Sequence, residues 1–333
     1  MRHRIEREDG IVTVESTGAG RHRIEVQPSR EEAYIPLRAC ETGYPLHLIE
    51  RILAVKGAAW LCDEILRDED SAAVERNLCT DVFPYMPRQE FAGRRILDFG
   101  CGAGSSTAVL ARLLPATQIV GVELQPGLAE IARLRAAHHG FSDRVQFLVS
   151  PSGDALPEGL GTFDHVFLNA VFEHLLPHER ATVLPMLWRQ LRPGGVLFVT
   201  ETPYRWFPVE YHTTGGLALL NYLPDRWALR LARRFSRRGL EGEDWQGLLR
   251  DGIRGGSPRE ILRLLADGAS RATVLEPRLA GLADRIDLWY AALDKTRRVA
   301  LKKALFGAFK LIRLGTGVTM LPTLCLAVRK EGR

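Results

Sequence analysis

The segment that runs from residue 94 to residue 114 restricts the fold of this chain more than any other. A short apolar run ends at Asp98, and apolar residues at helical spacing follow further along. Between them stand glycines at alternate positions: Gly100, Gly102 and Gly104. The pattern predicts a buried strand, a tight turn and a helix, the order found at nucleotide-binding turns of doubly wound α/β sheets. Because glycine lets the backbone turn sharply and lets a ligand touch it, this turn is the first candidate binding site.

The spacing of these glycines separates the turn from two common phosphate-binding loops. It is not G-x-G-x-x-G, and no G-K-[ST] follows it, so a P-loop is excluded. The run from Asp98 to Gly104 resembles motif I of the class I S-adenosylmethionine (SAM)-dependent methyltransferases, D/E-x-G-x-G-x-G. That resemblance implies that Asp98 and the three glycines bind the amino-acid end of SAM. A purely structural glycine turn and a nicotinamide site are the alternatives at this point.

An acid ends the second predicted strand, residues 118–123. Glu123 lies 19 residues after Gly104. An acid at the end of the second strand can accept hydrogen bonds from both ribose hydroxyls of a nucleotide-like ligand. We therefore predict that Glu123, with its neighbour Leu124, belongs to the cofactor site.

The loop after the third predicted strand, residues 144–149, departs from the pattern of the family. In the methyltransferases that the chain resembles, this loop usually carries an acid that holds the adenine amino group. The corresponding position here is Ser152, and Asp154 stands two residues later. Asp154 and a main-chain group near Gly153 therefore remain alternative candidates for binding adenine.

Later segments resemble the same family. Residues 163–175 are similar to the F-D-x-V…EH segment of small-molecule class I methyltransferases, and residues 191–201 are similar to their L-(K/R)-P-G-G turn. Residues 202–212 are similar to a T-P-x-x-x-x-P-x-x-x-H segment of bacterial methyltransferases of the type 11 and type 23 kind. The resemblance adds Asn169 and Ala170 to the cofactor-binding residues. With four such elements in order over residues 94–202, the nicotinamide alternative is disfavoured. The implied fold is α/β: a Rossmann-like, doubly wound, seven-stranded sheet whose last strand is antiparallel.

The rest of the chain is predicted to extend and interrupt this core. Alternating residues at 10–15 and 22–26 predict a β-hairpin, and residues 45–55 and 58–66 predict helices. We divide the chain into an N-terminal hairpin and helical extension (1–90), a SAM-binding core (91–202), a substrate or lid insertion (203–257), a return to the core (258–277), a helical insertion (278–320) and a last core strand (321–333).

The first insertion carries the candidate catalytic residues. It leaves the carboxyl end of the fifth predicted strand, where ligands bind in open α/β sheets, and it is rich in aromatic residues around Glu210 and His212. Because histidine titrates near neutral pH, His212 is a candidate general base, and a histidine that only orders the loop is the alternative. His174 is a second candidate, and a structural role beside the cofactor is its alternative. No cluster with metal-ligand spacing is visible, so we predict no metal.

Two basic amphipathic stretches, residues 226–238 and 297–313, bear on the partners of the protein. Such helices can lie on an anionic membrane surface, and helices whose apolar faces pack on the core are the alternative. Nucleic-acid binding is not expected, because no recognition module is visible and residues 169–172 lack the N/D-P-P-Y/F segment of base-amino methyltransferases.

The cysteine pattern favours a cytosolic protein. The five cysteines are scattered without a C-x-x-C pair, which favours reduced thiols, and neither a signal-peptide pattern nor an apolar run of about 20 residues is present. We expect a cytoplasmic protein, with peripheral membrane contact as the alternative. The predicted function is transfer of a methyl group from SAM to an oxygen of a small-molecule, lipid-linked or glycan intermediate. A non-catalytic SAM-fold protein that binds a partner or a membrane is the alternative.

Overall fold

A computed structural model describes residues 2–29, 37–70, 72–266, 268, 270–293 and 296–332. The chain divides into two compact units. The first comprises residues 1–78 and 101–149, and the second comprises residues 79–100 and 150–333. The glycine turn crosses this division, because it begins in the second unit and continues into the first.

The elements follow one another along the chain as β1 (Arg2–Arg7), β2 (Gly10–Gly18), β3 (Arg21–Pro28), β4 (Ala39–Thr42), α1 (Leu46–Lys56), α2 (Leu61–Glu69), α3 (Ala72–Asp81), β5 (Arg95–Phe99), α4 (Ser105–Leu113), β6 (Gln118–Glu123), α5 (Pro126–His138), β7 (Val145–Val149), β8 (Phe163–Asn169), α6 (Pro177–Gln190), β9 (Leu191–Pro203), β10 (Val209–Glu210), β11 (Leu217–Ala218), α7 (Asp225–Phe235), α8 (Trp245–Arg250), α9 (Pro258–Leu265), β12 (Arg271–Val274), α10 (Arg285–Ala292), α11 (Val299–Thr316) and β13 (Thr323–Glu331). Short 3-10 turns lie at Arg88–Phe91, Phe172–His174, Leu220–Tyr222 and Leu279–Gly281.

The first unit begins with an antiparallel sheet in the order β1-β2-β3-β4. Its centre is the predicted hairpin, β2 and β3, which is therefore confirmed; the flanking strands β1 and β4 were not predicted. Side chains on one face of β2 and β3 alternate inward and join residues of α1 and α2 in a core: Val12, Val14, Ile24, Val26, Leu48, Ile49, Ile52 and Ile65. Alternation with a period of two explains why the hairpin was visible in the sequence.

The Rossmann-like sheet has seven strands. Five lie in the second unit in the order β12-β13-β9-β8-β5, and the other two, β6 and β7, form a parallel pair in the first unit. β5, β8 and β9 run parallel, whereas β13 runs antiparallel to both β9 and β12. The predicted fold class, including its antiparallel last strand, is therefore confirmed.

The two predicted basic helices form as α7 and α11. On α7, Ala228 and Ala232 are completely buried, whereas Trp227 is 44% exposed and Phe235 is 55% exposed. Helical spacing in the sequence predicts that both aromatics share the apolar face of this helix with the two alanines. Trp227 lies about 100° around the helix from Ala228, and Phe235 is the last helical residue, so the contact that buries the alanines does not cover them. Within the described residues, no helix is long and apolar enough to span a membrane.

Candidate active site

In the first unit, the glycine turn is held by Glu123 at the carboxyl end of β6. Glu123 is 9% exposed, and its Oε2 accepts a hydrogen bond of 2.9 Å from the backbone N–H of Gly102. Its Oε1 accepts a bond of 3.0 Å from the N–H of Gln125, the residue before α5. Each carboxylate oxygen keeps a second lone pair, so Glu123 retains the capacity to accept hydrogen bonds from a ligand.

The glycines of this turn serve different purposes. Gly102 and Gly104 both have left-handed backbone angles, with φ of 57° and 78°. A Cβ at Gly104 would lie 2.7 Å from the Cβ of Ala132 on α5, so glycine is required there for close packing. A Cβ at Gly102 would meet nothing within 4 Å. The backbone at Gly102 therefore borders open space that a ligand could occupy.

A buried arginine supports the same turn. Arg135, on α5, is completely buried, and its Nη1 donates a 2.7 Å hydrogen bond to the carbonyl oxygen of Ala103. The guanidinium also lies 3.1 Å from Glu64 and 3.2 Å from Asp68, both carried by α2. Tyr44 donates to both oxygens of Asp68 at 2.6 Å and accepts from Nε of Arg135 at 2.9 Å. The N-terminal extension thus fixes the turn through a charged network that sequence analysis missed.

These groups in the first unit fit the SAM that the resemblance implies. A ribose would find the acceptor oxygens of Glu123, and the backbone of the turn is open at Gly102. Leu124, the residue after Glu123, is 45% exposed and offers an apolar side chain to an adenine ring.

In the second unit, the predicted cofactor residues lie at the carboxyl ends of β5 and β8. Asp98 is 4% exposed near the end of β5. Gly100 has a φ of 74°, and a Cβ there would lie 2.7 Å from the side chain of Val171. Asn169 accepts a 2.8 Å hydrogen bond from Oγ1 of Thr200. The glycine at position 100 is thus needed because the chain after β8 passes directly against the turn.

Ala170 has a left-handed backbone, with a φ of 52°. Its N–H donates a 3.0 Å hydrogen bond to the carbonyl oxygen of Thr200. A non-glycine residue in this region costs about 1–3 kcal/mol and persists where the surrounding structure holds it. Such strain clusters at functional sites, and here it lies between a predicted cofactor residue and the Phe172–His174 turn.

The two candidates for adenine binding have different surroundings. Asp154 is exposed and accepts a 2.6 Å hydrogen bond from Oγ of Ser152, a bond that lowers the pKa of its carboxyl group. The backbone of Gly153 lies against Glu179, whose Oε1 would be 2.3 Å from a Cβ at that position. Glu179 is itself fixed by Arg250, which contacts both of its oxygens at 2.6 Å. Gly153 is therefore closely packed against Glu179, whereas Asp154 faces solvent. Which of the two binds adenine stays a prediction.

His174 and His212 are brought together within the second unit, with ring centroids 5.7 Å apart. Nδ1 of His174 lies 2.5 Å from the carbonyl oxygen of Arg250, and Nδ1 of His212 lies 3.0 Å from that of Asp251. Because a carbonyl only accepts hydrogen bonds, each Nδ1 carries the proton and each Nε2 of the neutral ring keeps its lone pair. The end of α8 thus sets both imidazoles in the tautomer whose Nε2 can act as a base or a metal ligand.

The environment favours neutral His212. Burial, followed by the proximity of His174, lowers the pKa of His212 below its ordinary value of 6.5. Gly252, with a φ of 87°, allows the close approach, because a Cβ there would lie 3.0 Å from both Cε1 of His212 and Cγ of Glu173. His212 is therefore uncharged at neutral pH and able to accept a proton.

Glu173 is the residue that sequence analysis left out of the site. It is completely buried, and its Oε2 accepts a 2.8 Å hydrogen bond from Oγ1 of Thr202. Among the described residues, Oε1 has no hydrogen-bond partner, and Nε2 of His174 lies 3.9 Å away from it. Burial raises the pKa of Glu173. The Glu-His pair in the sequence was a signal for this residue, but it gave no hint of His212 beside it.

Glu210, the third predicted catalytic residue, has its carboxylate engaged in the loop. It is 3% exposed, and its two oxygens accept hydrogen bonds of 2.9 Å and 2.6 Å from the N–H groups of Thr213 and Thr214. These bonds shape the turn that follows His212. Glu210 thus positions the loop that carries His212.

A basic cavity of about 670 Å³ opens beyond the end of β9. Its wall includes Tyr204, Arg205, Trp206, Arg259, Glu260, Arg263, Arg285 and Thr319. Burial and the neighbouring Arg254 lower the pKa of Arg205 to about 10, so its guanidinium is still charged at neutral pH. Tyr204 follows Thr202, the partner of Glu173, by two residues, so the cavity and the histidine pair both lie at this end of β9.

The central part of the chain is similar to known methyltransferases. Residues 96–195 match a family model described as a methyltransferase domain. The chain is 37% identical to the trans-aconitate 2-methyltransferase of Methylobacterium radiotolerans over 108 residues, which cover 32% of this chain and 38% of that relative. It is 35% identical to a ubiquinone biosynthesis O-methyltransferase of Xanthomonas oryzae pv. oryzae over 115 residues, which cover 34% of this chain and 45% of that relative.

The solved structure of geranyl diphosphate C-methyltransferase from Streptomyces coelicolor aligns over 84% of each chain, with 17% identity and a TM-score of 0.42. The curated relatives above are matched over less than half of their own length. The matched part of this chain carries the glycine turn, Glu123 and His174, whereas the insertion with His212 lies outside the family model.

Proposed function

We propose that this chain, whose residues 96–195 place it among the class I SAM-dependent methyltransferases, transfers the methyl group of SAM to an oxygen of a small-molecule, lipid-linked or glycan acceptor. The observation that carries the proposal is the glycine turn itself. Its backbone is open at Gly102, and the buried carboxylate of Glu123 is bonded to that residue and keeps lone pairs for a ribose. The same turn is closely packed at Gly104, so it is rigid where it would meet the cofactor.

Binding of SAM is the direct test. Isothermal calorimetry on the full chain should detect SAM and the product S-adenosylhomocysteine, and Glu123→Gln should weaken both at least about 10-fold because an ionised acceptor is lost. Glu130→Gln is a matched control, since Glu130 lies on the outer part of α5 and pairs with Arg51. Absence of SAM binding by the wild-type chain would refute the proposal.

The acceptor is proposed to bind at the histidine pair. SAM supplies a methyl group on a sulfonium that is displaced in line, so the protein mainly positions the two reactants. An acceptor hydroxyl must lose a proton, and neutral His212, held through its Nδ1 by Asp251, presents Nε2 to take it. Transfer to oxygen is supported by the name of the Xanthomonas relative, which describes an O-methyltransferase.

The pH dependence tests the role of His212. Because its pKa is lowered, the base form persists below pH 6.5, and the rate of methyl transfer should fall only at more acidic pH. His212→Asn should lower kcat about 100-fold or more and remove this acidic limb, while SAM affinity is retained. A variant with an unchanged pH profile would assign His212 a purely loop-ordering role.

The basic cavity supports an acceptor that carries an acidic group. Four arginines line it, and guanidinium groups bind carboxylates and phosphates in two-point contacts. Arg263→Gln should therefore raise KM for an acidic acceptor about 10-fold with little change in kcat, whereas Arg271→Gln, at the exposed first position of β12, should change neither. An equal effect of the two substitutions would argue against the cavity as the acceptor site.

A second proposal concerns peripheral contact with an anionic membrane through α7. Trp227 and Phe235 are exposed, and arginines surround them: Arg230 lies 4.8 Å from the Trp227 ring and Arg234 lies 5.5 Å from the Phe235 ring. Exposed aromatics among cations match an anionic lipid interface. The protein should sediment with vesicles that contain phosphatidylglycerol and should not sediment with vesicles of phosphatidylcholine alone. Replacing both Trp227 and Phe235 with serine should abolish this binding. Leu219→Ser, at an exposed site outside α7, is the control.

A further inference from the structure

We infer that Glu173, His174 and His212 form a binding site for a divalent transition-metal ion, which would lie at the acceptor end of the proposed methyl transfer. Ligand atoms of these three residues lie within 4.8 Å of one another. Two imidazoles and one carboxylate are the ligand set that leaves open coordination positions on first-row transition metals. This inference rests on the proposed function only for its role, because the site itself is defined by the three side chains.

The protonation of the two imidazoles already suits a metal. Both Nδ1 atoms are bonded to backbone carbonyl oxygens, those of Arg250 and Asp251, so both Nε2 atoms are free of protons in the neutral rings. Metal-bound histidines almost always have their other ring nitrogen fixed by such a partner. The carbonyls belong to consecutive residues at the end of α8, which therefore orients both ligands at once.

The carboxylate is the independent observation that points to a ligand. Glu173 is completely buried, and Oε1 has no hydrogen-bond partner among the described residues. Leaving a buried carboxylate oxygen without a partner is costly, and a cation would remove that cost. The other oxygen is bonded to Thr202, which holds the carboxylate as second-sphere partners hold metal ligands.

The geometry calls for a small movement on binding. Nε2 of His174 lies 3.9 Å from Oε1 of Glu173, whereas ligand atoms around such an ion are about 3 Å apart. His174 has a side chain that is 43% exposed, so it can move toward the ion without disturbing the core. Nitrogen ligands favour Zn²⁺, Fe²⁺, Mn²⁺ or Co²⁺ over Mg²⁺ and Ca²⁺, which prefer oxygen ligands alone.

A cation here would hold an acceptor that offers two neighbouring oxygens, such as a catechol, a hydroxy acid or an enol. Bound metal ions lower the pKa of an oxygen that coordinates them. In the metal-loaded protein the two imidazoles act as ligands and His212 is no longer the base, so an acceptor hydroxyl would release its proton to solvent as it coordinates the ion and would reach the methyl donor deprotonated. The insertion that carries His212 would then determine which acceptors the enzyme accepts.

Metal binding can be measured without any methyl acceptor. The full chain, first treated with EDTA, is titrated with Zn²⁺, Mn²⁺, Co²⁺ and Mg²⁺ separately by calorimetry, and the visible spectrum of the Co²⁺ form reports nitrogen ligation. We expect one transition ion per chain and at least about 100-fold weaker binding in Glu173→Gln and in His174→Ala. His178→Ala, at an exposed histidine on α6, is the matched control and should bind like the wild type.

The outcomes separate this inference from the proposed function. Stoichiometric binding that depends on Glu173 and His174 supports the metal site even if SAM does not bind. Binding that is absent, or equally affected by His178→Ala, overturns it, and methyl transfer that survives EDTA would then leave the proposed function standing. SAM affinity of each variant shows whether it has folded, so a loss of metal binding with intact SAM binding supports the site. Should the variants misfold, the Co²⁺ spectrum of the wild type still decides, because a spectrum without nitrogen ligation overturns the inference.

Discussion

The buried arginine beneath the glycine turn makes the sharpest stability prediction. Replacing Arg135 with methionine keeps an unbranched apolar stem and a similar helix propensity, but it shortens the side chain and removes its charge and its donors. Glu64, 4% exposed at its side chain, and Asp68, which is completely buried, then lose their common cation. The carbonyl oxygen of Ala103 also loses its 2.7 Å hydrogen bond.

The expected cost follows from which charges remain. Breaking a buried ion pair by removing one partner destabilises proteins by about 3–5 kcal/mol, because the other charge stays buried without compensation. The loss of the Ala103 bond is part of the same network and should not be added in full. Asp68 keeps His139 at 2.6 Å and Glu64 keeps Lys56 at 3.6 Å, so we expect Arg135→Met to lower the free energy of unfolding by about 3 kcal/mol, the lower end of that range. We also expect weaker SAM binding, since the turn loses a support.

Two assays test this prediction. Urea denaturation of the full chain measures the free energy of unfolding, and calorimetry measures the affinity for SAM. Arg133→Met is the matched control, because Arg133 lies two residues earlier on α5, is exposed, and donates a 3.1 Å hydrogen bond to the carbonyl oxygen of Phe147. That change should cost below about 1 kcal/mol. The reasoning is refuted if the two variants are equally stable, or if Arg135→Met is destabilised while its SAM affinity is unchanged.

The stability difference between wild type and Arg135→Met should decrease as the pH falls. Burial alone would raise the pKa of Asp68, but a hydrogen bond from His139, the charge of Arg135 and a hydrogen bond from Tyr44 together hold it below its ordinary value of 3.8. A lowered carboxyl pKa contributes stability that is present above the unfolded-state pKa and is lost as the pH falls through the folded-state value. The difference in free energy of unfolding between wild type and Arg135→Met should therefore be largest at neutral pH and should decrease below about pH 4.

Three glycine substitutions test the local geometry of the two predicted sites. Gly104→Ala places a Cβ 2.7 Å from Ala132 and should cost about 1–3 kcal/mol in stability and weaken SAM binding, as measured by denaturation and calorimetry. The Cβ of Gly102→Ala meets no neighbouring atom, so this change should cost only about 1 kcal/mol of stability, for the left-handed backbone. It should weaken SAM binding at least as much as Gly104→Ala does, because the Cβ enters the open space beside the turn. Gly252→Ala should displace His212 and lower kcat about 10-fold with unchanged SAM affinity; a loss of SAM affinity instead would contradict the assignment of this cluster to the acceptor.

Local patterns predicted the core with good accuracy. The strand that ends at Glu123 has the predicted bounds, and the strand, glycine turn and helix around Gly102 form in the predicted order. Such elements are visible because hydrophobic periodicity and turn chemistry are properties of neighbouring residues. The antiparallel last strand was predicted only through the resemblance to a family, since no local pattern specifies strand direction. The strands β1 and β4 were missed because one is almost entirely exposed and the other has four residues.

The sequence by itself therefore determined the order of strands and helices in the core, the glycines that the turn requires, and Glu123 beside that turn. The tertiary structure decided what surrounds these elements. His212 lies 38 residues after His174 in the chain, and only the folding of the insertion brings the two rings to 5.7 Å, with Glu173 beneath them. Arg135 likewise gains Glu64 and Asp68 from α2, a helix that is distant in sequence. Burial and charge pairing arise from contacts between remote segments, and no local pattern in the chain encodes them.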